Sequence, residues 1–137
     1  MKQALKQAEM AYDEDEIPVG AVVVIKNQII SKAYNSVEKL KDVTAHAEML
    51  ALTAAFNNLG SKYLNHCKLY VTLEPCMMCA GAIFWSQLGE LVYGTADEKA
   101  GFTRINPRFL YPRLTIKSGI LKEECSNMLK EFFREKR

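Results

Sequence analysis

The sequence predicts an α/β sandwich in which helices cover both faces of a five-stranded mixed sheet. Three observations carry this. An amphipathic helical stretch leads into a pair of β-rich runs separated by a short turn; apolar helix and strand segments then alternate; and a second amphipathic helix closes the chain. At 137 residues the simplest organisation is one domain over 1–137, long enough to bury its own core. No internal repeat, low-complexity segment or linker interrupts it.

The first helix is expected over about residues 2–14, where Ala4, Leu5, Ala8, Ala11 and Tyr12 recur at helical spacing. Pro18 separates it from "VGAVVVIK", and "KNQ" turns that run back into "IISKAY", which reads as an antiparallel hairpin. Residues 35–43 read as a polar loop. "TAHAEMLALTAAFNNLG" is helical from Thr44, with Asp42 or Thr44 as N-cap and Gly60 as the stop. "CKLYVTL" is a buried strand, ended by "EPC", after which "CMMCAGAIFWSQLG" begins a second apolar helix. "ELVYG" is the next strand. Residues 95–113 read as loop, with turn signals at Gly101, Asn106-Pro107 and Pro112, and "LTIKSG" is a short fifth strand. "ILKEECSNMLKEFFREKR" is the closing helix, basic at its end.

Composition excludes some classes. Apolar residues make up 49% and charged residues 25%, so disorder is not expected. The longest apolar runs fall well short of the roughly 20 residues of a membrane helix. The start reads as an amphipathic helix rather than an export signal, which places the chain in the cytoplasm, where thiols stay reduced and a close cysteine pair favours metal or redox chemistry. The net charge of +2 is nearly neutral, but its distribution is uneven: acids gather at Asp13–Glu16 and bases in the last third. A basic face from that third is expected, with a merely solvated surface as the alternative.

The chemistry is concentrated in "TLEPCMMCAG". Cys76 and Cys79 are related i, i+3, which brings both sulfurs to one side of a helix's first turn, where the helix dipole favours thiolates. Zinc prefers sulfur and imidazole ligands and takes four. Of the two histidines, His46 opens the preceding helix in "TAHAEM" and Glu48 follows it, whereas His66 has no partner motif. His66, Cys67 and Cys125 are read as packing residues. A catalytic zinc takes three protein ligands and leaves the fourth position to water, a count that His46, Cys76 and Cys79 fit. Residues i and i+2 of a helix point to nearly opposite sides, so His46 and Glu48 share a site only if it lies off the helix's N-terminal end. A redox reading of Cys76-x-x-Cys79 fits the strand-to-helix context but leaves His46-Ala47-Glu48 unexplained.

His-x-Glu followed by Pro-Cys-x-x-Cys is the signature of zinc-dependent nucleobase deaminases. Beyond it, "EIPVGAVVV", "AYN", "TAHAEMLAL", "LYVTLEPCMMCAGAI", "LVYGTADEKAG" and the closing segment resemble the bacterial tRNA adenosine deaminases. That resemblance covers nearly the whole chain. It implies the cytidine-deaminase-like fold, a three-layer α/β/α sandwich; one Zn²⁺ per subunit; a homodimer; and conversion of a wobble adenosine in a tRNA anticodon loop to inosine. It further implies that Glu48 moves protons, that Asn35 hydrogen-bonds the flipped base, that the Ala47 backbone contacts it, and that Asp97 touches a flanking ribose. The end of the last helix, with Phe133 and Arg134, resembles a segment that follows the RNA backbone. Hydrolytic deamination suits such a set, because it needs a nucleophile at neutral pH and a carboxylate alternating between base and acid.

One segment departs from the family pattern. After "DEKAG" many tRNA-acting members carry a longer loop with small residues and histidines, whereas "FTRINPRFLYPR" is shorter and rich in Arg104, Arg108, Arg113, Phe102, Phe109 and Tyr111. Arginines among stacking aromatics suit single-stranded RNA, with Arg104 and Arg108 as candidate contacts; the same aromatics also suit the core. "GAIFW" resembles guanine deaminases, so a free-base deaminase acting on guanine or cytosine is the alternative enzyme. A noncatalytic zinc-stabilised RNA-binding module is the alternative outside catalysis.

Overall fold

The computed structural model describes residues 1–137, and the sheet begins at a tight turn. Lys26 and Asn27 both adopt left-handed φ, 49° and 61°, the backbone of a two-residue turn whose twist matches paired strands. It joins β1 (Gly20–Ile25) to β2 (Gln28–Tyr34) in antiparallel register, with a shift between Val23 and Val24. β1 also pairs antiparallel with β3 (Cys67–Leu73), and β3 runs parallel to β4 (Glu90–Thr95), which runs parallel to β5 (Thr115–Ser118). The strand order is β2-β1-β3-β4-β5, and the sheet has the five strands and mixed pairing expected.

Helices cover both faces. α1 (Lys2–Asp13) and α6 (Lys122–Glu135) lie on one, and α3 (Ala47–Leu59) and α4 (Met77–Ser86) on the other. Alternation along the strands explains this: Ala21 and Val23 of β1, Leu69 and Val71 of β3, and Leu91 of β4 join one core with Ala47, Ala51, Leu52 and Ile83. On the other side, Gly20 lies so close to α1 that a Cβ there would fall 2.0 Å from the Ala4 carbonyl oxygen. Gly94 similarly admits Cys125 of α6, whose sulfur would lie 2.4 Å from a Cβ.

Two expectations are corrected. The loops expected over 35–43 and 95–113 each contain a helical turn, α2 (Val37–Leu40) and α5 (Phe102–Ile105). α3 starts at Ala47 rather than Thr44, and neither Asp42 nor Thr44 caps it. Asp42 Oδ1 instead accepts the Thr44 backbone N–H at 2.8 Å and its hydroxyl at 2.7 Å, closing a local turn. The N-cap position falls to His46, in extended conformation with no side-chain cap. Gly60, left-handed at φ 62°, ends the helix as expected.

The topology sets what meets at one end of the sheet. Because β1 is antiparallel to β3, the entry to β1 and the exit from β2 lie beside the carboxyl end of β3. The Asn35 backbone N–H donates to Val19 O at 3.0 Å there. The carboxyl end of β4 lies alongside, and the Glu74 N–H donates to Thr95 O at 2.9 Å. Segments 16–19, 35–37, 74–76 and 95–100 thus converge with the start of α3.

Candidate active site

α3 and α4 pack together with their N-termini at this end. Cys76 is the N-cap of α4, as His46 is of α3; neither side chain caps its own helix, and both turn toward each other. His46 Nδ1 lies 3.6 Å from Cys76 Sγ and 3.6 Å from Cys79 Sγ. The three ligand atoms lie within 4.8 Å of one another. With zinc–sulfur and zinc–nitrogen bonds of roughly 2.3 and 2.05 Å, a tetrahedral S-to-N edge is about 3.6 Å, so the trio has the spacing a tetrahedral zinc requires. Cys79 is fully buried, and Cys76 and His46 are half-buried.

The trio shares its protons unevenly. Hydrogen bonds from Cys79 and His46 bring Cys76 down to about 4, against the opposing effect of burial. Cys79 is pushed up, because it donates to Cys76 and is buried. The His46 imidazole is raised by its hydrogen bond to Cys76. Only Cys76 is held as a thiolate, so a cation taking all three ligands would displace the Cys79 proton on binding.

Glu48 occupies the second position of α3 and is 4% exposed. Burial raises its carboxyl to about 7, partly opposed by a bond from its own backbone N–H and by His46. The neighbouring Cys79 thiol acts in the same lowering direction. The geometric condition set by the i, i+2 spacing is met off the end of α3: His46, Glu48 and Cys76 all line one cleft of about 600 Å³, a volume suited to a small organic ligand.

Asn35, Ala47 and Asp97 line the same cleft. Asn35 Nδ2 donates to Ile17 O at 3.2 Å, which fixes the amide, and its buried Oδ1 is left without a partner. Ala47 is the first residue of α3. Asp97 turns its Oδ1 inward to accept the Lys99 and Ala100 backbone N–H groups, each at 3.0 Å. Phe133 and Arg134 lie elsewhere, in a neighbouring groove with Lys99, Lys130, Lys136 and Arg137. Lys136 lines both cavities and pairs with Asp15 across the cleft mouth. Of the late bases expected to form a basic face, Lys130, Arg134, Lys136 and Arg137 share this groove, with Arg134 paired to Glu131 and Lys136 to Asp15.

Arg104 and Arg108 line neither cavity. Arg104 is exposed on α5, and Arg108 stacks over Tyr111 with its Cζ 5.8 Å from the ring centre. Of the aromatics in that segment, Phe102 is fully buried and Phe109 packs on Phe84 at 5.6 Å, so both serve the core. Arg113 is spent on the Phe84 face, 4.4 Å from its centroid. Phe132 is buried against Tyr12, whereas Phe133 is 45% exposed.

Two cleft residues escaped sequence reasoning. Glu16 ends the acidic run 13–16 but is 1% exposed, accepting the Glu38 and Lys39 backbone N–H groups at 3.0 and 2.7 Å. Glu74 is 2% exposed and accepts three donors of the 97–103 segment. Nothing marks Glu16 among its acidic neighbours. For Glu74 the signal was a carboxylate ending a buried strand directly before Pro75.

A carboxylate and a His-Cys-Cys trio facing each other across two helix starts, on a mixed sheet between helical layers, define a deaminase of the cytidine-deaminase-like fold. The family model for MafB19-like deaminases matches residues 1–137. The tRNA-specific adenosine deaminase of Aquifex aeolicus (strain VF5) is 45% identical over 142 residues, covering 100% of this chain and 93% of that protein. A tRNA:A34 deaminase whose structure was solved in a study of A-to-I editing at the wobble position superposes with a TM-score of 0.88 at 39% identity, over 94% of this chain and 97% of that one. A guanine deaminase from Nitrosomonas europaea follows the same fold, with a TM-score of 0.82 at 25% identity, over 94% and 80% of the two chains. The chain belongs to the tRNA-specific adenosine deaminase family.

Proposed function

We propose that the protein hydrolyses the wobble adenosine of a tRNA anticodon loop to inosine, releasing ammonia, with one zinc held by His46, Cys76 and Cys79. The observation that carries this reading is the meeting of that trio with the buried Glu48 in one cleft. When bound, zinc supplies Lewis-acid chemistry that makes water nucleophilic near neutral pH. Glu48 accepts a proton from the attacking water, passes it to the ring nitrogen of the base, and delivers the next to the departing amine. Asn35, held by Ile17, offers its free Oδ1 to an N–H of the base. Ala47 and Asp97 form the walls against the base and its ribose. An adenosine in a loop costs little to unstack, which suits a cleft that must take one whole nucleoside.

The groove of Lys99, Lys130, Arg134, Lys136 and Arg137 adjoins the cleft and takes the flanking phosphates, with Phe133 exposed among the charges for stacking. Arg104 and Arg108, exposed beyond both cavities, add outer contacts. The reading treats residues 1–137 as one domain, supported by the 19-residue core that runs from Val19 to Leu114 and by α1 and α6 packing on the same sheet. It also takes the working form as a homodimer, supported by the family resemblance and by Trp85 of α4, which is 77% exposed. No helix is long and apolar enough to cross a membrane, and all four cysteines are free, which fits a reducing cytoplasm.

The fold similarity to a guanine deaminase makes a free base the second reading. Incubation with an adenosine-34 tRNA and, separately, with guanine, cytosine and adenosine separates the two. Inosine in the tRNA without free-base turnover is expected; ammonia from guanine alone would overturn the tRNA assignment.

A further inference from the structure

The buried carboxylate of Glu74 accepts three hydrogen bonds, all from the segment 97–103 that carries Asp97 and Ala100 of the cleft wall. Oε1 accepts the Asp97 backbone N–H at 3.1 Å. Oε2 accepts the Thr103 backbone N–H at 2.9 Å and its hydroxyl at 2.7 Å. The loop between these donors is stitched down further: the Phe102 N–H donates to Pro75 O at 2.9 Å, and Gly101 forms an isolated bridge with Cys76. Gly101 has no room for a side chain, because a Cβ would lie 2.4 Å from both Glu74 Cδ and Oε2. Asp97 in turn holds the Lys99 and Ala100 N–H groups. One side chain, on the residue pair preceding a metal-ligand candidate, therefore fixes the loop that faces the substrate.

Its chemistry suits this use. The two carboxyl oxygens are acceptors for three converging donors, two backbone N–H groups and one hydroxyl. A glutamine of the same size would aim its NH₂ at one set of those donors and leave a backbone N–H unpaired.

We propose that Glu74 is a positioning residue of the deaminase, holding Asp97 and Ala100 of the cleft wall at a set distance from the Cys76 end of the site. The inference rests on the deaminase reading above. It concerns substrate binding rather than the metal, so the expected signature is a KM effect without a kcat effect.

The test compares wild type, Glu74→Gln and Thr103→Val, measuring bound zinc, amide hydrogen exchange over 97–103, and kcat and KM on an anticodon stem-loop RNA. For Glu74→Gln, KM is expected to rise about tenfold, the effect of one lost charged hydrogen bond, with zinc content retained and kcat little changed. Exchange over 97–103 is expected to accelerate by a similar factor. Thr103→Val, which keeps its backbone N–H, is expected to raise KM about threefold. An unchanged KM and unchanged exchange in folded Glu74→Gln overturn the proposal, as does a fall in kcat accompanied by zinc loss. If Glu74→Gln does not fold, Thr103→Val decides, and an unchanged KM there overturns it. Should the wild type deaminate nothing, the deaminase reading fails, while the exchange comparison still decides whether Glu74 holds the loop.

Discussion

Glu48 and Glu74 are both buried carboxylates, 4% and 2% exposed, and their hydrogen bonds assign them opposite duties. Glu74 accepts three loop donors, whereas Glu48 accepts none from a loop and faces the cleft. Replacing Glu48 therefore removes proton transfer without collapsing a wall. Glu48→Gln is expected to lower kcat by about 10²–10⁴-fold, the usual worth of a general acid–base group, with zinc still bound; single-turnover inosine formation and elemental analysis check both halves. His46→Ala and Cys79→Ser are expected to behave differently, losing zinc before the fold. The trio was legible in the sequence because two of its members sit three residues apart and the third shares a two-residue spacing with Glu48. Glu16 was not legible, since only the tertiary fold separates it from Asp13, Glu14 and Asp15, which remain exposed.

Elements were read well where a pattern repeated and poorly where one turn sufficed. The β1–β2 hairpin, β3 and β4 announce themselves by β-branched runs bounded by turns. α2 and α5, four residues each, are shorter than any periodic window. The start of α3 was placed too early because Asp42 and Thr44 have good capping chemistry, but they bond each other instead. The same limit hides why Gly20 must be glycine: a lone glycine before a valine run looks like a strand end. In the fold, a Cβ there would lie 2.0 Å from Ala4 O and 2.4 Å from Ala8 N, both backbone atoms of α1 that cannot swing aside. Gly20→Ala must push α1 off the sheet, at a cost of about 3 kcal/mol. For a domain of this size that lowers Tm by about 10 °C, readable by calorimetry; a shift of a degree or less would show that α1 docks loosely.

At the scale of the whole molecule, the sheet order was not deducible from local pattern, because pairing β1 with β3 as well as with its hairpin partner β2 joins segments far apart in sequence. The family resemblance implied a five-stranded mixed sheet without giving the order of its strands. The surface raises a second question of this scale, since α4 carries Cys79 inward and Trp85 outward on one ten-residue helix. Trp85 is 77% exposed and Met78 36%, and a groove beside them is lined by Phe56, Tyr63 and Phe84. Tryptophan left in water forfeits the large apolar area that makes it a dominant interface residue. If a second copy covers this face, Trp85 lies at its centre, and its truncation costs about 2 kcal/mol or more, which weakens the dimer about 30-fold. Sedimentation of the wild type at micromolar concentration is then expected to give about twice the chain mass of 15.5 kDa, and Trp85→Ala the single mass. Zinc is expected to stay in the variant, because Cys79 is fully buried within its own chain. A wild type that sediments as a single chain would refute the dimer, and a Trp85→Ala dimer of unchanged affinity would move the interface off this face.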